Sequence, residues 1–276
     1  MSPLWRDRIR IGLFPDKVVL VRLVRRWRPQ IADQRIVPCD PDEAGEAPWQ
    51  APLTGLKEAL PAFAPRRADA EAILSSAFTH HLLVPWSDQL SGEEEEIAYV
   101  RHCFARIYGD GAKRWALRMS PDRAGAHRVA SAVDQRLLDT LASTLQEARL
   151  PLRSVQPYLM AAFNEWRPRF KDLTAWLAVV DGGKISLALL HRDRWHSLRT
   201  LKVGDSWADE LLLILDRERL LVDVPEAPKE VFLVAPEAAE VLIPADSGWT
   251  IRRLLSPQQP GLAPPSPAAF ATAKGS

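Results

Sequence analysis

Residues 177–190 read LAVVDGGKISLALL, two apolar runs separated by an Asp-Gly-Gly turn. Short apolar runs bounded by turn residues predict buried β-strands. Residues 9–23, IRIGLFPDKVVLVRL, have the same plan, with a turn at Pro15 and Asp16. The sequence therefore predicts two β-hairpins about one lobe apart along the chain, and a duplicated fold of the kind that clamps a nucleotide.

The composition is that of a soluble globular protein without a strong overall field. The chain has 276 residues, of which 47% are hydrophobic and 26% charged. This length allows one large domain or two lobes with a sizeable core. Because the net charge is +1, the protein as a whole does not attract nucleic acid or membranes. We expect no nucleic-acid partner.

The apolar runs and the cysteines predict a cytoplasmic protein. The longest apolar runs, residues 18–24 and 173–180, are of strand length and far short of the roughly 20 residues that span a bilayer. Cys39 and Cys103 are far apart and have no zinc-type spacing, which fits a reducing compartment. We expect membrane association to be peripheral, at the inner membrane, or through a partner.

The first 30 residues are strongly basic. They carry eight basic residues against Asp7 and Asp16, namely Arg6, Arg8, Arg10, Lys17, Arg22, Arg25, Arg26 and Arg28. An acidic partner or anionic lipid could meet this end, and solvated arginines on strand edges would give the same composition. The cluster Arg25, Arg26, Trp27 and Arg28 has the residue types enriched at interface hot spots. We predict that it is a protein-contact patch.

The rest of the sequence is typical of an α/β protein. Apolar periodicity predicts helices at 53–64, 91–108, 121–148, 157–164 and 206–220. Apolar and β-branched runs predict strands at 9–13, 18–23, 35–37, 70–84, 113–119, 152–155, 173–201, 231–234 and 249–255. The turns of the last meander are placed at 181–183 and 193–194.

Two helix starts have explicit signals. Ser91 and Glu94 form a capping box, and that helix would end at Gly109. Its predicted buried face is Ile97, Val100, Cys103, Phe104 and Ile107. Ser120-Pro121 places a proline at a first helical position, so the next helix is predicted to start there. Its predicted apolar stripe is Val129, Val133, Leu137, Leu141 and Leu145.

This order of elements resembles the actin-like fold of bacterial assembly-platform proteins. The PilM family of type IV pilus assembly and the cytoplasmic part of the L-type protein of type II secretion are the most similar. The resemblance covers most of residues 9–255 and rests on both hairpins, on LVPW at 83–86, and on the strand, helix and short strand of 114–157. It implies an α/β, actin-like (ribonuclease H-like) fold of two duplicated lobes with mixed β-sheets.

The resemblance also implies a domain division. One two-lobed domain covers residues 1–255, with a first β-meander at 9–38, a middle α/β part at 70–157, and a second β-meander with a helix at 172–255. Residues 256–276 are rich in Pro and Ala and cannot bury a core, so they are predicted to form a disordered tail.

The first phosphate loop of the family departs from its pattern in this chain. The family has Asp-x-Gly followed by Ser or Thr after the first strand. Here the strand lacks the Asp, and Phe14-Pro15 replace the small hydroxyl residues. Pro15 also removes an amide donor. On the adenine side, Ala235-Pro236 follow Val234 where the family has Gly-Gly, which allows less close backbone approach.

The second phosphate loop matches better, at Asp181, Gly182, Gly183 and Lys184. By resemblance these four residues would contact nucleotide phosphate and magnesium, although a glycine-rich hairpin turn has the same sequence. Because two of the three loops depart from the family pattern, we expect no ATP hydrolysis, no catalytic residue and no enzyme activity. ATP with magnesium stays a possible cofactor.

Other motifs do not carry a site. Gly183-Lys184 is not a P-loop, because Ala178 and Ile185 stand where that motif needs Gly and Ser or Thr. His191 and His196 would face each other across a hairpin and could bind a metal. Without a third ligand at a suitable spacing, we interpret them as surface residues and expect no metal.

The leading hypothesis is a non-catalytic actin-like scaffold of a type IV pilus or type II secretion platform at the inner membrane. The resemblance implies a membrane-anchored partner that docks a short cytoplasmic peptide, and a homo-oligomer is possible. The alternative is an ATP-binding switch, in which Asp181 and Gly183 contact magnesium and phosphate. An enzyme of the sugar-kinase branch would need a catalytic Asp in a sugar cleft, and we find no candidate for it.

Overall fold

The structure is a computed structural model that describes residues 7–24, 30–40, 47–65, 68–90, 92–121, 125–192, 194–224, 227–235 and 247–254. The predicted contact patch Arg25, Arg26, Trp27 and Arg28 lies outside these residues, as does the tail at 256–276. The predictions made for both segments stay predictions, as does the division into domains.

Five helices and thirteen strands make up the described part of the chain. The helices are α1 Gln50–Phe63, α2 Glu93–Tyr108, α3 Gln135–Glu147, α4 Tyr158–Trp166 and α5 Trp207–Leu221. The first eight strands are β1 Asp7–Leu13, β2 Lys17–Val24, β3 Gln30–Pro38, β4 Ala68–Leu74, β5 Thr79–Val84, β6 Trp115–Met119, β7 Arg128–Asp134 and β8 Leu152–Pro157. The others are β9 Thr174–Asp181, β10 Lys184–His191, β11 Arg194–Lys202, β12 Glu230–Val234 and β13 Thr250–Arg253.

Two five-stranded sheets repeat one connectivity. The first has the order β3-β2-β1-β4-β8 and the second β11-β10-β9-β12-β13. In each sheet the first three strands form an antiparallel meander, and the last two join it as parallel strands. A smaller antiparallel sheet has the order β5-β7-β6. The predicted duplication and mixed sheets are confirmed.

Helices cover both faces of this pair of sheets. On the first sheet, α1 and α3 bury Leu56 and Leu141 against strands β1, β2 and β4. On the second sheet, α5 buries Leu211 and Leu215. Helix α4 lies between the two sheets, where Phe163 shares one core with residues of both. This shared core brings the β4 end of the first sheet close to the β9–β10 turn of the second.

The predicted helix start at Ser120-Pro121 is wrong. Residues 128–134 form β7, the central strand of the small sheet, and α3 begins only at Gln135. Asp134 is its N-cap, since its side chain accepts a hydrogen bond from the Arg136 amide at 2.9 Å. Strand β7 is buried on both faces, so its apolar residues do not alternate. Such a run cannot be separated from a helical stripe by periodicity.

Helix α2 is confirmed in extent but not in its buried face. It ends before Gly109, which has φ +78°. Its N-cap is Gly92, without a side-chain hydrogen bond, while Ser91 lies outside the described residues. Of the predicted face only Val100 and Phe104 are buried, whereas Ile107 is exposed. Cys103 is only half-buried and is not a core thiol.

Candidate functional site

The predicted second phosphate loop is a tight hairpin turn between β9 and β10. Asp181 and Lys184 are cross-strand partners that close a two-residue loop. Gly182 has φ +56° and Gly183 has φ +70°, the backbone region that a type I′ hairpin needs at both central positions. The two glycines are therefore required by the turn itself.

The Asp181 carboxylate is held by the protein's own donors. It is only 8% exposed and faces the turn that follows β4 in the first sheet. Ser75 Oγ donates to one carboxylate oxygen at 3.0 Å, and the Ser76 amide donates to the other at 2.5 Å. Ser75 Oγ in turn accepts a hydrogen bond from the Ala77 amide at 3.1 Å. Asp181 thus connects two segments that are more than 100 residues apart in sequence.

The rest of the hairpin turn makes the same contact. A Cβ atom built on Gly182 would lie 2.3 Å from Ser75 Oγ and 3.0 Å from Ala77 Cβ. No side chain fits there without displacing Ser75. Lys184 Nζ donates to the Ser76 carbonyl at 2.7 Å. We call this arrangement, residues 75–77 against residues 181–184, the closed turn.

Electrostatics around the closed turn reflect burial. Desolvation raises the pKa of Asp181, and the hydrogen bonds from Ser76 and Ser75 oppose that rise. Desolvation lowers the pKa of Lys184, and so does the positive charge of Lys202, its cross-strand partner. The closed turn therefore holds an acid and a base that both bear a desolvation cost, offset by their hydrogen bonds.

The first hairpin turn, between β1 and β2, is filled by its own residues. The Phe14 side chain is buried and packs edge-on against Tyr158, with ring centroids 6.2 Å apart. The Phe14 amide donates to the Lys17 carbonyl at 3.0 Å, so this donor serves the hairpin. The structure thus shows a buried aromatic side chain where the family pattern has a small hydroxyl residue. The residues do not fit a phosphate at this turn.

The third loop and the histidines add no site. Ala235 is buried, and Pro236 lies outside the described residues. The expected pairing of His191 with His196 is wrong, because β11 begins at Arg194 and His191 pairs with Arg194. A β-bulge in β10 shifts the register further along. Within the described ranges, no three His, Cys, Asp or Glu side chains are grouped to hold a metal.

The turn after β4 is the part of the site that sequence reasoning missed. The segment LSSAF at 74–78 has serines typical of a turn, but nothing local indicates its partner. Two cavities lie elsewhere. One of about 240 Å³ lies beside Arg10 and Glu71, and an open groove of about 610 Å³ runs between α1 and α3. In the part of the chain that is described, no helix is long and apolar enough to cross a bilayer.

Comparison with known proteins identifies the fold. No protein-family model matches the sequence, and no curated protein sequence does. Among solved structures, the type IV pilus biogenesis complex of PilM and PilN matches with a TM-score of 0.61 and 16% identity over 82% of this chain and 80% of that chain. The cytoplasmic domain of EpsL, an inner-membrane component of the Vibrio cholerae type II secretion system, matches with a TM-score of 0.59 and 10% identity over 91% and 90%.

A third solved structure agrees. A Bacteroides thetaiotaomicron protein of unknown function with an actin-like ATPase fold matches with a TM-score of 0.56 and 11% identity, over 85% of this chain and 84% of that chain. These identities are low, so the likeness concerns the backbone and the order of elements. Together with the repeated connectivity of the two sheets, it shows that this chain has the actin-like fold of the PilM and EpsL structures.

Proposed function

We propose that this protein is a non-catalytic, actin-like scaffold in the assembly of a type IV pilus or a type II secretion platform. Its partner would be a membrane-anchored platform protein that docks a short cytoplasmic peptide. The scaffold would then lie in the cytoplasm, held at the inner membrane through that partner. The likeness to PilM, solved in complex with PilN, and to EpsL, an inner-membrane component, supports this role.

The closed turn carries the non-catalytic part of the proposal. Both oxygens of Asp181 accept hydrogen bonds from the first sheet's turn, and Lys184 donates to Ser76. A nucleotide could use this turn only after those contacts break. A buried carboxylate that loses its donors bears its desolvation cost without compensation, which opposes opening.

An ATP-binding switch is the second candidate. The observation in its favour is that Asp181, both glycines and Lys184 keep the sequence and the backbone of a phosphate-binding turn. In that case the closed turn is one state and a nucleotide-bound form is the other. The two candidates differ in whether the closed turn ever opens to a ligand.

Thermal unfolding with and without saturating Mg-ATP tests the non-catalytic proposal. A ligand at about 100 times its dissociation constant adds about 2.7 kcal/mol of stability, which would raise the midpoint by several degrees. We expect no shift. A clear shift in the wild type that is lost in Asp181→Ala would overturn the proposal in favour of the switch.

Co-purification tests the scaffold role separately. The tagged protein, recovered from detergent-solubilised membranes of its native host, should bring down a single-pass membrane protein of a pilus or secretion system. A synthetic peptide of that protein's cytoplasmic segment should then bind the purified scaffold. Recovery without any such component counts against the role, whatever the nucleotide result.

A further inference from the structure

Helix α5 exposes an apolar stripe on the side away from its sheet. Leu211 and Leu215 bury the inner face against the second sheet. On the outer face, Leu213 is 73% exposed, Leu220 82% and Leu221 55%. Leu213 and Leu220 are seven residues, or about two turns, apart, so they lie on one line along the helix. Single exposed leucines are common, but a line of them on one helix marks an interaction surface.

The charges beside this stripe are arranged for self-pairing. Glu210 and Arg217 are both exposed and lie seven residues apart on the same face. The midpoint between them falls between Leu213 and Ile214. If a second α5 packs antiparallel about that midpoint, Glu210 of each copy lies opposite Arg217 of the other. A parallel pair would place like charges opposite each other, which is unfavourable.

We propose that the outer face of α5 is a self-association surface, on which α5 of a second copy of this chain packs antiparallel. The interface is isologous, as in most two-fold dimers. Leu213 lies at its centre, and Leu220 of each copy packs near Trp207 of the other. The occupant follows from charge complementarity, because one helix supplies both members of two ion pairs. This inference goes beyond the scaffold role and does not depend on it.

The contact is small, so the dimer should be reversible. A single helix pair falls at the low end of protein interfaces, where association is weak and transient. We expect sedimentation velocity of the full chain to show a monomer–dimer equilibrium whose dimer fraction rises with protein concentration.

Charge reversal tests the register. Glu210→Arg or Arg217→Glu alone turns two attractive pairs into two repulsive ones, so each variant should dimerise about tenfold or more weakly than the wild type. An equimolar mixture of the two variants restores both pairs, and it should dimerise as well as the wild type. The double variant Glu210→Arg/Arg217→Glu should also dimerise. Both positions are exposed and two turns apart, so the fold is expected to be kept, which circular dichroism checks.

The mixture separates the antiparallel pair from other modes of association. A wild-type chain that stays monomeric at every concentration overturns the proposal and leaves the stripe to residues 255–276 or to another protein. Single variants that dimerise like the wild type, or a mixture that does not regain dimerisation, overturn the antiparallel register. Restoration in the mixture, with monomers in each separate sample, supports it.

Discussion

Replacing Gly182 with alanine should destabilise the protein through the closed turn. Gly182 has φ +56°, where a residue with a side chain costs roughly 1–2 kcal/mol. The new Cβ would lie 2.3 Å from Ser75 Oγ, so the hydroxyl must move away from Asp181. Leaving that buried carboxylate one donor short costs about 1–3 kcal/mol. We expect Gly182→Ala to lower the free energy of unfolding by about 2–5 kcal/mol.

Gly183→Ala is the matched control. Gly183 has φ +70° but meets only the Val203 carbonyl oxygen, at 3.9 Å from a built Cβ. It should therefore cost the backbone strain alone, roughly 1–2 kcal/mol. Urea unfolding of both variants, with unchanged denaturant slopes, measures the difference between them. Equal losses of stability would refute the argument, because the contact with Ser75 would then contribute nothing.

A second background isolates the atom responsible. Ser75→Ala removes the hydroxyl that the Gly182 substitution would displace. In that background Gly182→Ala should cost less than in the wild type, a non-additivity that a double-mutant cycle measures. Part of the cost should stay, because Ala77 Cβ lies 3.0 Å from the built Cβ. Full additivity would mean that the steric conflict lies elsewhere.

Two pH-dependent predictions have opposite signs. Burial raises the pKa of Asp181 above its unfolded value of 3.8, so the native state holds this proton more tightly and stability falls as pH rises through the window between the two values. Neutral Asp181→Asn should gain stability relative to the wild type as pH rises through that window, and a constant difference would contradict this. Burial lowers the pKa of His81 from 6.5 to about 3, so below about pH 6.5 the unfolded state binds the proton first and His81 loses about 1.4 kcal/mol of stability per pH unit. His81→Gln should remove this slope, and an imidazole NMR signal of His81 that moved between pH 8 and 5 would show the assignment to be wrong.

The features that could be predicted from the sequence are local ones. Both hairpins follow from apolar runs around a turn, and the Asp-Gly-Gly sequence places positive φ at Gly182 and Gly183, as the structure has them. The features that could not be predicted depend on distant segments. Strand β7 looks helical because both its faces are covered. The exposed side of α2 at Ile107 depends on how little of that helix the small sheet covers.

The site shows the same division between local and distant causes. The turn at Asp181 could be predicted, but not what occupies its carboxylate, since Ser75 is 106 residues away. A phosphate-binding turn and a turn that joins two sheets share one local sequence. They differ only in where the hydrogen-bond donors come from. For this reason the resemblance of the four residues to a phosphate loop does not decide between a ligand and a protein contact.

Weakening the closed turn without changing the hairpin separates the scaffold from the switch. Ser75→Ala removes one donor to Asp181 but leaves residues 181–184 intact. If the closed turn exchanged with a nucleotide-binding form, weakening it would raise the population of that form and strengthen Mg-ATP binding. Under the scaffold proposal the variant is less stable yet shows no rise in melting midpoint with Mg-ATP, because buried Phe14 still fills the first turn. A rise in Ser75→Ala that disappears in Ser75→Ala/Asp181→Ala would refute the scaffold proposal, since only a ligand at this carboxylate gives that pattern.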